Sequence, residues 1–374
     1  MALPSGRMPL TTPTPSTPSM LRHAGALASL IVPLSTAFAQ ANDLAACAEI
    51  GAPADRLACY DKLAGRAVDL PAATGPEGAS DSQLAPKAQL LPPAKQPIAG
   101  SGSLVSRYWE LDPEDKRGTF NFVGYRPNYI LPVHLTSRIN REPKSPNQAG
   151  VPLPDYKRVE AKFQLSLRTK ALQDVGFDGG DVWLGFTQQA LWQIWNGKDS
   201  KPFRNSDYEP EVLYVVPTPK AWRGLPFGWQ WRYAQLGIAH QSNGQSDPLS
   251  RSWNRAWFGV GFERETLSLS TRLIHRFSEN GDTDNNPDLI DYRGRSETQL
   301  NWASGKSTAS LLYRSTLKGV KYGALQLEWT YPVFGDQPNG LRWYLQAFRG
   351  YGETLTDYNF RQTSMGAGVT FLQF

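Results

Sequence analysis

Residues 240–254 contain the side chains of this chain that are best suited to chemistry. They read His-Gln-Ser-Asn-Gly-Gln-Ser-Asp-Pro-Leu-Ser-Arg-Ser-Trp-Asn. His240 and Ser242 are two residues apart, so they lie on one face of a β-strand. If residues 243–251 form the loop of an antiparallel hairpin, His240 lies opposite Asn254 within hydrogen-bonding reach. This spacing predicts a nucleophilic serine, a histidine base and an asparagine that orients the base.

The alternation of side chains along this hairpin indicates where such a site would work. The apolar face carries Leu236, Ile238, His240, Ser242, Asn254, Ala256, Phe258, Val260 and Phe262, and the polar face carries Gln235, Gly237, Gln241, Arg255, Gly259, Gly261 and Glu263. In a soluble protein the apolar face would be core, whereas in a membrane-spanning barrel it would face lipid. The pattern is less regular at Gln230 and Arg232, which fall on the apolar side. In a barrel, the three candidate catalytic side chains would meet lipid directly.

An asparagine in the orienting position requires a specific side-chain orientation. Replacing the aspartate of a serine protease triad by asparagine costs about 10⁴ in kcat, because the wrong imidazole tautomer is selected. Asn254 must therefore present its carbonyl oxygen to the imidazole N–H, with its NH2 group held elsewhere. A neutral side chain also avoids the cost of placing an anion against lipid.

The rest of the chain favours a β-barrel over a helical membrane protein. Mean hydropathy is −0.44, and after the N-terminal region we find no apolar run of about 18 residues. From residue 104 onward, short alternating runs are separated by turn residues. These runs lie around Phe163 and at 182–194, 212–216, 231–241, 252–262, 267–277, 297–302, 309–313, 325–331, 341–347 and 365–374.

With one or two further strands before Phe163, the pattern predicts an all-β, transmembrane antiparallel barrel of about 12 strands, preceded by a short helical segment and a disordered tether. The 12 Trp, 15 Tyr and 16 Phe residues could supply interfacial girdles. The chain ends on Phe374, as outer-membrane barrels commonly do. The alternative is a soluble β-sandwich.

The N-terminal 39 residues are predicted to be a leader and signal peptide. Arg22 and His23 precede an apolar run at 24–34, and Ala37-Phe38-Ala39 is a typical cleavage site. The sequence favours Met20 as the start, and a buried helix is the alternative. Export would place the protein in an oxidising compartment.

Residues 40–66 contain both cysteines, Cys47 and Cys59. Asp43 could cap a short helix that ends at Ile50, and Asp55 could cap a second helix after Gly51 and Pro53 break the first. This helical hairpin suggests a disulfide bond, with free thiols as the alternative. Residues 67–103 are rich in Pro, Ala, Gly and Ser and are predicted to be a disordered linker to the barrel at 104–374.

The charge pattern argues against nucleic acid as a partner. The formal net charge is +5 and the sequence pI is about 9.1. These charges are dispersed and form no basic stripe, so a solvated surface is favoured over the alternative of basic loops that meet anionic lipid or lipopolysaccharide.

The sequence resembles the outer membrane phospholipase A family over residues 104–374. Residues 240–254 match its signature nearly throughout. Further matching runs are Pro202-Phe203-Arg204, Tyr208-Glu209-Pro210, Asn286-Pro287-Asp288, Tyr351-Gly352-Glu353 and Asp357-Tyr358-Asn359-Phe360. The resemblance implies a twelve-stranded barrel of the Gram-negative outer membrane that hydrolyses acyl esters of phospholipids at the A1 and A2 positions. It also implies activation by Ca²⁺ and by formation of a homodimer.

The resemblance assigns roles to individual residues. Ser242 would be the nucleophile, His240 the general base and acid, and Asn254 the orienting residue, while the amide of Gly244 would donate to the oxyanion. Calcium would be held by the Ser250 hydroxyl and by the carbonyl oxygens of Gln245 and of Ser200 from the partner subunit.

Two further family positions bear on calcium and on dimerisation. Asp247 would belong to a second calcium position, where the family often has a carboxylate and this chain has Asn285. Gln188 resembles a polar residue of the family's dimer interface.

Two other functions remain open from the sequence. A passive porin would conduct ions and would be indifferent to Ser242→Ala. A catalytically silent lipid-binding barrel would retain lipid without releasing fatty acid. The intact set of His240, Ser242 and Asn254 argues against both.

Overall fold

The computed structural model describes residues 46–63, 102–177, 179–198, 202–281 and 283–371. The chain divides into two compact units, Met1–Leu90 and Leu91–Phe374. No helix within the described ranges is long and apolar enough to cross a membrane. The predicted signal peptide and nearly all of the predicted linker lie outside the described residues.

The described part of the first unit contains helix α1 (Pro53–Leu63) and a disulfide bond between Cys47 and Cys59. The first helical stretch ends before Gly51, as predicted, but the prediction that Asp55 caps the second helix was wrong. Pro53 begins α1, since proline is pre-shaped for the first helical position, and Asp55 lies in the first turn.

The second unit is built almost entirely of antiparallel strands. They are β1 (Phe122–Gly124), β2 (Asn128–Thr136), β3 (Val159–Leu172), β4 (Asp181–Trp192), β5 (Phe203–Pro217), β6 (Gln230–Ser242), β7 (Ser252–Arg264), β8 (Leu267–Arg276), β9 (Ser296–Ser304), β10 (Ser307–Ser315), β11 (Ala324–Pro332), β12 (Arg342–Tyr351) and β13 (Arg361–Phe371). Two short helices accompany them, α2 (Leu104–Trp109) and α3 (Leu289–Arg293).

The strands close into a barrel because β13 pairs with β2. β1 and β2 both pair with β3, through Gly124 opposite Leu167 and Tyr129 opposite Gln164, so together they form one interrupted strand. The thirteen strand segments therefore make up a barrel wall of twelve strands. The prediction of a barrel of about 12 strands is confirmed, and the soluble sandwich is excluded.

The outer wall is apolar and the lumen is polar. Leu236, Ile238 and Phe258 are 56%, 54% and 49% exposed. Other exposed wall residues are Leu184, Phe186, Val212, Leu273, Leu325, Leu327, Leu345 and Met365. The alternate positions are buried and polar, and they include Lys162, Arg168, Lys170, Glu209, Glu211, Arg255 and Gln346. Outward apolar and inward polar residues are the pattern of a barrel that spans a membrane.

A β-bulge explains the irregular phase at the start of β6. The register shifts between Trp231 and Tyr233, so the strand carries one extra residue there. Because a one-residue shift reverses the direction of side chains, Arg232 points into the lumen and is only 5% exposed. Its guanidinium forms ion pairs with Asp112 and Glu263.

A segment before the first strand packs inside the barrel. Helix α2 is capped by Ser103, whose hydroxyl accepts from the Ser106 N–H and donates to Glu263. Trp109 packs edge-on against Trp183, 6.1 Å between ring centroids, and against the ring of Tyr125. Residues 103–117 therefore fill the end of the lumen that lies nearest the short turns at 265–266 and 305–306.

The loop at 352–360 joins β12 to β13 at the opposite end and contributes a buried ionic network. The Glu353 carboxylate accepts hydrogen bonds from His134 at 2.9 Å and from Lys162 at 2.8 Å. Arg204 donates to Glu160 and to Asp357, at 2.9 Å each. These bonds tie β2, β3 and β5 to this loop, which lies at the same end as residues 243–251.

Removing the Glu353 carboxylate is expected to destabilise the barrel. Glu353→Ala leaves the Lys162 ammonium buried without its ionic partner, which costs about 3–5 kcal/mol of unfolding free energy when a buried pair is broken. Glu353→Gln keeps an acceptor and should lose less. Denaturant titration in detergent micelles, followed by tryptophan fluorescence, measures the change. Asp336→Ala, in an exposed turn, is the control, and equal midpoints for Glu353→Ala and the control would contradict the prediction.

Candidate active site

Strands β6 and β7 place the predicted catalytic side chains at one end of the outer wall. In their register, His240 lies opposite Asn254 and Ser242 opposite Ser252. The hairpin register expected from the sequence is therefore the one observed. His240 is exposed, as are Leu236 and Ile238 below it on the same strand face.

The imidazole of His240 and the side chain of Asn254 form a direct hydrogen bond. The distance from His240 Nδ1 to Asn254 Oδ1 is 2.9 Å. A carbonyl oxygen only accepts, so Nδ1 carries the proton and donates it. The Nε2 atom is then the basic nitrogen, which is the tautomer that a base for Ser242 requires.

Ser242 is accompanied by a backbone donor from the loop that follows it. The N–H of Gly244 lies 3.1 Å from Ser242 Oγ and donates to it. Gly244 has a φ of +62°, a conformation that glycine adopts without strain. An amide this close to Ser242 Oγ would also be near the oxygen of a carbonyl group, if Ser242 acts as the predicted nucleophile.

The loop at 243–251 is braced by the buried side chain of Asn243, which the sequence suggested only as part of a turn. Its Oδ1 accepts from the Arg251 N–H at 2.9 Å, and its Nδ2 donates to the Leu249 carbonyl at 2.8 Å. The same amide reaches Thr356 Oγ1 at 3.2 Å. Asparagine commonly bonds to nearby backbone in turns, and that was the available signal.

Arg251 and Tyr358 form the buried base of this loop. The Arg251 guanidinium donates to the carbonyl oxygens of Pro248 and Ser250, at 2.9 and 2.7 Å. Burial lowers the pKa of Arg251 below its usual value. Burial and the hydrogen bond to Asp288 raise the pKa of Tyr358, so its hydroxyl stays protonated and donates at 2.5 Å. The Asp288 carboxylate therefore has a structural partner within the loops.

Three of the four predicted calcium-binding residues lie together in the loop. They are Gln245, Asp247 and Ser250, and Ser200 falls outside the described residues. Asp247 accepts a hydrogen bond from Gln148 at 3.2 Å. A hydroxyl, a carboxylate and a backbone carbonyl are hard oxygen donors, so this part of the set fits calcium.

Asn285 contacts the same loop as a hydrogen-bond donor. Its Nδ2 donates to Ser250 Oγ at 2.8 Å, while its Oδ1 accepts from Gln148 at 2.8 Å. An NH2 group turned toward the loop supplies no oxygen ligand. Within the described ranges, no cluster of three or more His, Cys, Asp or Glu side chains is placed to hold a metal.

Gln188 lies on the outer wall of β4, partly exposed. It pairs with Leu165 on β3 and Tyr208 on β5, and Leu184 and Phe186 precede it on the same face. A polar side chain thus stands on an apolar surface, where a partner that offers a hydrogen bond would be favoured.

Comparison with known proteins places this arrangement in a family. The family described as phospholipase A1 matches residues 105–371. The putative phospholipase A1 of Neisseria meningitidis serogroup B is 32% identical over 369 residues, which cover 91% of this chain and 93% of that protein. The phospholipase A1 of Salmonella typhimurium is 32% identical over 67% of this chain and 81% of its own length.

A solved structure shares the architecture as well as the sequence. The outer membrane phospholipase of Salmonella typhi, crystallised as a dimer with bound calcium, has a TM-score of 0.60 and is 30% identical. The match covers 72% of this chain and 97% of that one. With a closed twelve-strand barrel, a family match over most of its length and relatives at this identity, the chain belongs to the phospholipase A1 family of outer membrane phospholipases.

Proposed function

We propose that this protein is a calcium-dependent phospholipase that hydrolyses acyl esters with Ser242, His240 and Asn254. The observation that carries the proposal is the 2.9 Å bond from His240 Nδ1 to Asn254 Oδ1, on the lipid-facing wall beside Ser242. The relatives named phospholipase A1 support the ester-hydrolase activity. The barrel and its relatives make it a protein of the Gram-negative outer membrane.

The chemistry would proceed in two acyl transfers. His240 Nε2 takes the proton of Ser242 as Oγ attacks the ester carbonyl carbon, and the N–H of Gly244 donates to the resulting oxyanion. The tetrahedral intermediate collapses, and His240 returns the proton to the departing alcohol oxygen, which leaves as lysophospholipid. Water then attacks the acyl-serine with the same base, which releases a fatty acid and restores the Ser242 hydroxyl.

The surroundings of the site suit a substrate with long acyl chains. Leu236, Ile238 and Phe258 extend the wall toward the membrane interior from the catalytic end. Acyl chains that lie along this wall would remain in an apolar environment while the ester reaches Ser242. Both the A1 and the A2 ester, and the ester of a lysophospholipid, could approach in this way.

The lengths of the connections support a site that faces the outer leaflet. The turns at 265–266 and 305–306 are two residues long and lie at one end of the barrel. The two longest connections, at 137–158 and 277–295, lie at the catalytic end. Long loops of such barrels face outward and short turns face the periplasm. Phospholipid would then reach the enzyme only when it enters the outer leaflet.

The proposed calcium site uses the Gln245 carbonyl and the Ser250 hydroxyl, with the Ser200 carbonyl of a second subunit. The support is the proximity of these donors to Ser242 and the relative crystallised as a dimer with calcium. When bound, the ion would supply positive charge near the oxyanion. A second calcium position at Asn285 is not part of the proposal, because its NH2 group faces Ser250.

The filled lumen favours a hydrolase over a passive channel. Arg126 donates to Glu209 and Glu211 across the interior, and Arg204 bridges Glu160 and Asp357. Between the two ends lies an interior cavity of about 460 Å³, whose lining includes Tyr108, Trp109 and Arg272. An ion pathway would have to displace these buried pairs.

Replacing either member of the base–nucleophile pair is expected to abolish hydrolysis. Ser242→Ala and His240→Ala should each lower kcat by roughly 10⁴ or more, whereas Asn254→Ala should keep measurable activity because orientation is only part of the barrier. Fatty-acid release from phospholipid micelles measures the rates, and a sulfonyl fluoride should label Ser242. Ser252→Ala, the cross-strand partner of Ser242, is the control. Full activity in Ser242→Ala, or labelling elsewhere, would end the assignment.

Removing the Ser250 hydroxyl is expected to weaken the response to calcium. Ser250→Ala deletes one oxygen ligand of the proposed site. The calcium concentration for half-maximal activity should therefore rise by roughly tenfold or more, as when groups that support other metal sites are removed. A calcium titration of fatty-acid release measures the shift, with Ser246→Ala as the control in the same loop. Wild-type activity that survives a chelator unchanged would contradict the calcium proposal and leave the triad assignment intact.

Truncating the side chain of Gln188 is expected to weaken dimerisation in detergent micelles. Gln188→Ala should cost roughly 0.6 kcal/mol of association free energy, and at most about 2. Analytical ultracentrifugation in detergent, with calcium or with chelator, measures the equilibrium. By linkage, calcium should tighten the dimer by the same factor as dimerisation tightens calcium binding. Leu300→Ala, on another part of the wall, is the control, and a fully active monomer would refute the need for a dimer.

A further inference from the structure

Glu279, in the connection between β8 and β9, contacts the side chain that orients the histidine. Asn254 Nδ2 donates to Glu279 Oε1 at 3.3 Å. Asn254 Oδ1 at the same time faces His240 Nδ1 at 2.9 Å. Both ends of one side-chain amide are therefore engaged, one by the imidazole and the other by a carboxylate.

We propose that Glu279 is a positioning residue that selects the productive orientation of Asn254. This inference rests on the proposed function. Glu279 is distant in sequence from the residues 240–254 that carry the chemistry. It acts on His240 only through Asn254.

The physical reason lies in the symmetry of an amide. The two ends of an asparagine side chain have nearly the same shape, so packing alone hardly distinguishes them. In the flipped orientation, NH2 would face His240 and favour the tautomer with the proton on Nε2, which could not accept the proton of Ser242. An ionised carboxylate only accepts hydrogen bonds, so Glu279 stabilises the orientation in which NH2 faces it.

The connection that carries Glu279 is anchored on both sides. The Phe277 N–H donates to the Asn254 carbonyl at 2.9 Å, two residues before Glu279. After it, the Asn280 carbonyl accepts from the N–H groups of Thr283 and Asp284, at 2.9 and 3.0 Å. Asn147, from the loop between β2 and β3, donates to the carbonyl oxygens of Gly281 and Asp284 at 2.7 and 2.9 Å. The backbone on both sides of Glu279 is thus held by bonds that do not involve its contact with Asn254.

Glu279 also supplies the charge that a neutral orienting residue lacks. In a serine protease triad, the aspartate beside the histidine stabilises the imidazolium that forms during catalysis. Here the side chain of Asn254 lies between the carboxylate and the imidazole. Glu279 itself is in a partly exposed loop beyond the end of β8. The anion therefore stays off the lipid-facing strand surface, where it would be costly, and still acts through Asn254.

The first test compares two variants at position 279 with a control variant at position 278. Glu279→Ala should lower kcat about tenfold with KM unchanged, as expected for loss of one charge-assisted hydrogen bond on a partly exposed group. Glu279→Gln keeps an acceptor oxygen and should recover part of this loss. Ser278→Ala, the exposed neighbour, is the control and should match wild type. A purely structural role would instead lower the amount of folded barrel, which heat-modifiable electrophoresis reports separately.

The second test makes the interaction between residue 254 and Glu279 repulsive instead of attractive. In Asn254→Asp, a carboxylate accepts from His240 without any amide to orient, and Glu279 becomes a nearby like charge. Glu279→Ala should therefore leave kcat unchanged or raise it in this background, whereas it lowers kcat in the wild type. A parallel loss in both backgrounds would overturn the inference. So would wild-type kcat in Glu279→Ala.

Failure of this inference is distinguishable from failure of the proposed function. If Ser242→Ala is inactive and Glu279→Ala matches wild type, the triad stands and the positioning role falls. If Ser242→Ala retains full activity, the proposed function itself falls, and the role of Glu279 falls with it.

Discussion

Closure of the strands into a barrel is the constraint on which the rest of this structure depends. Lipid offers no hydrogen bonds to backbone, so every strand must pair on both sides, and β13 meets β2 to complete the circle. Closure divides the side chains into an outward and an inward set with a period of two residues. Ser242, His240 and Asn254 share the outward set with Leu236 and Ile238, so the candidate site opens directly to lipid.

This exposed position shapes the chemistry of the site. A charged residue in the proposed orienting position would be costly against lipid, and Asn254 is neutral. Neutrality has two consequences, since an amide can flip and cannot stabilise the imidazolium as an anion does. The proposed role of Glu279 answers both, because a carboxylate in the adjoining loop accepts from the NH2 group and carries charge.

The loops at the catalytic end are joined by polar side chains rather than by an apolar core. Asn243 bonds to Leu249, Arg251 and Thr356, so the loop after Ser242 is linked to the loop at 352–360. Gln148 bonds to Asp247 and Asn285, which connects a third loop to the proposed calcium site. The bonds to Thr356 and from Gln148 join groups far apart in sequence, so the geometry of these loops depends on the tertiary structure.

The alternation of apolar and polar residues along the sequence was sufficient to predict the barrel and its lipid-facing wall. The spacing of His240 and Asn254 was sufficient to predict their pairing, because the register of a hairpin depends on nearby residues. Tertiary structure decided what periodicity cannot encode. The bulge after Trp231 turns Arg232 into the lumen toward Asp112, and α2 packs within the barrel beside Trp183. The contact from Asn254 to Glu279 spans an irregular connection with no repeating pattern. Such contacts join side chains whose separation in sequence follows no repeat, so periodicity cannot predict them.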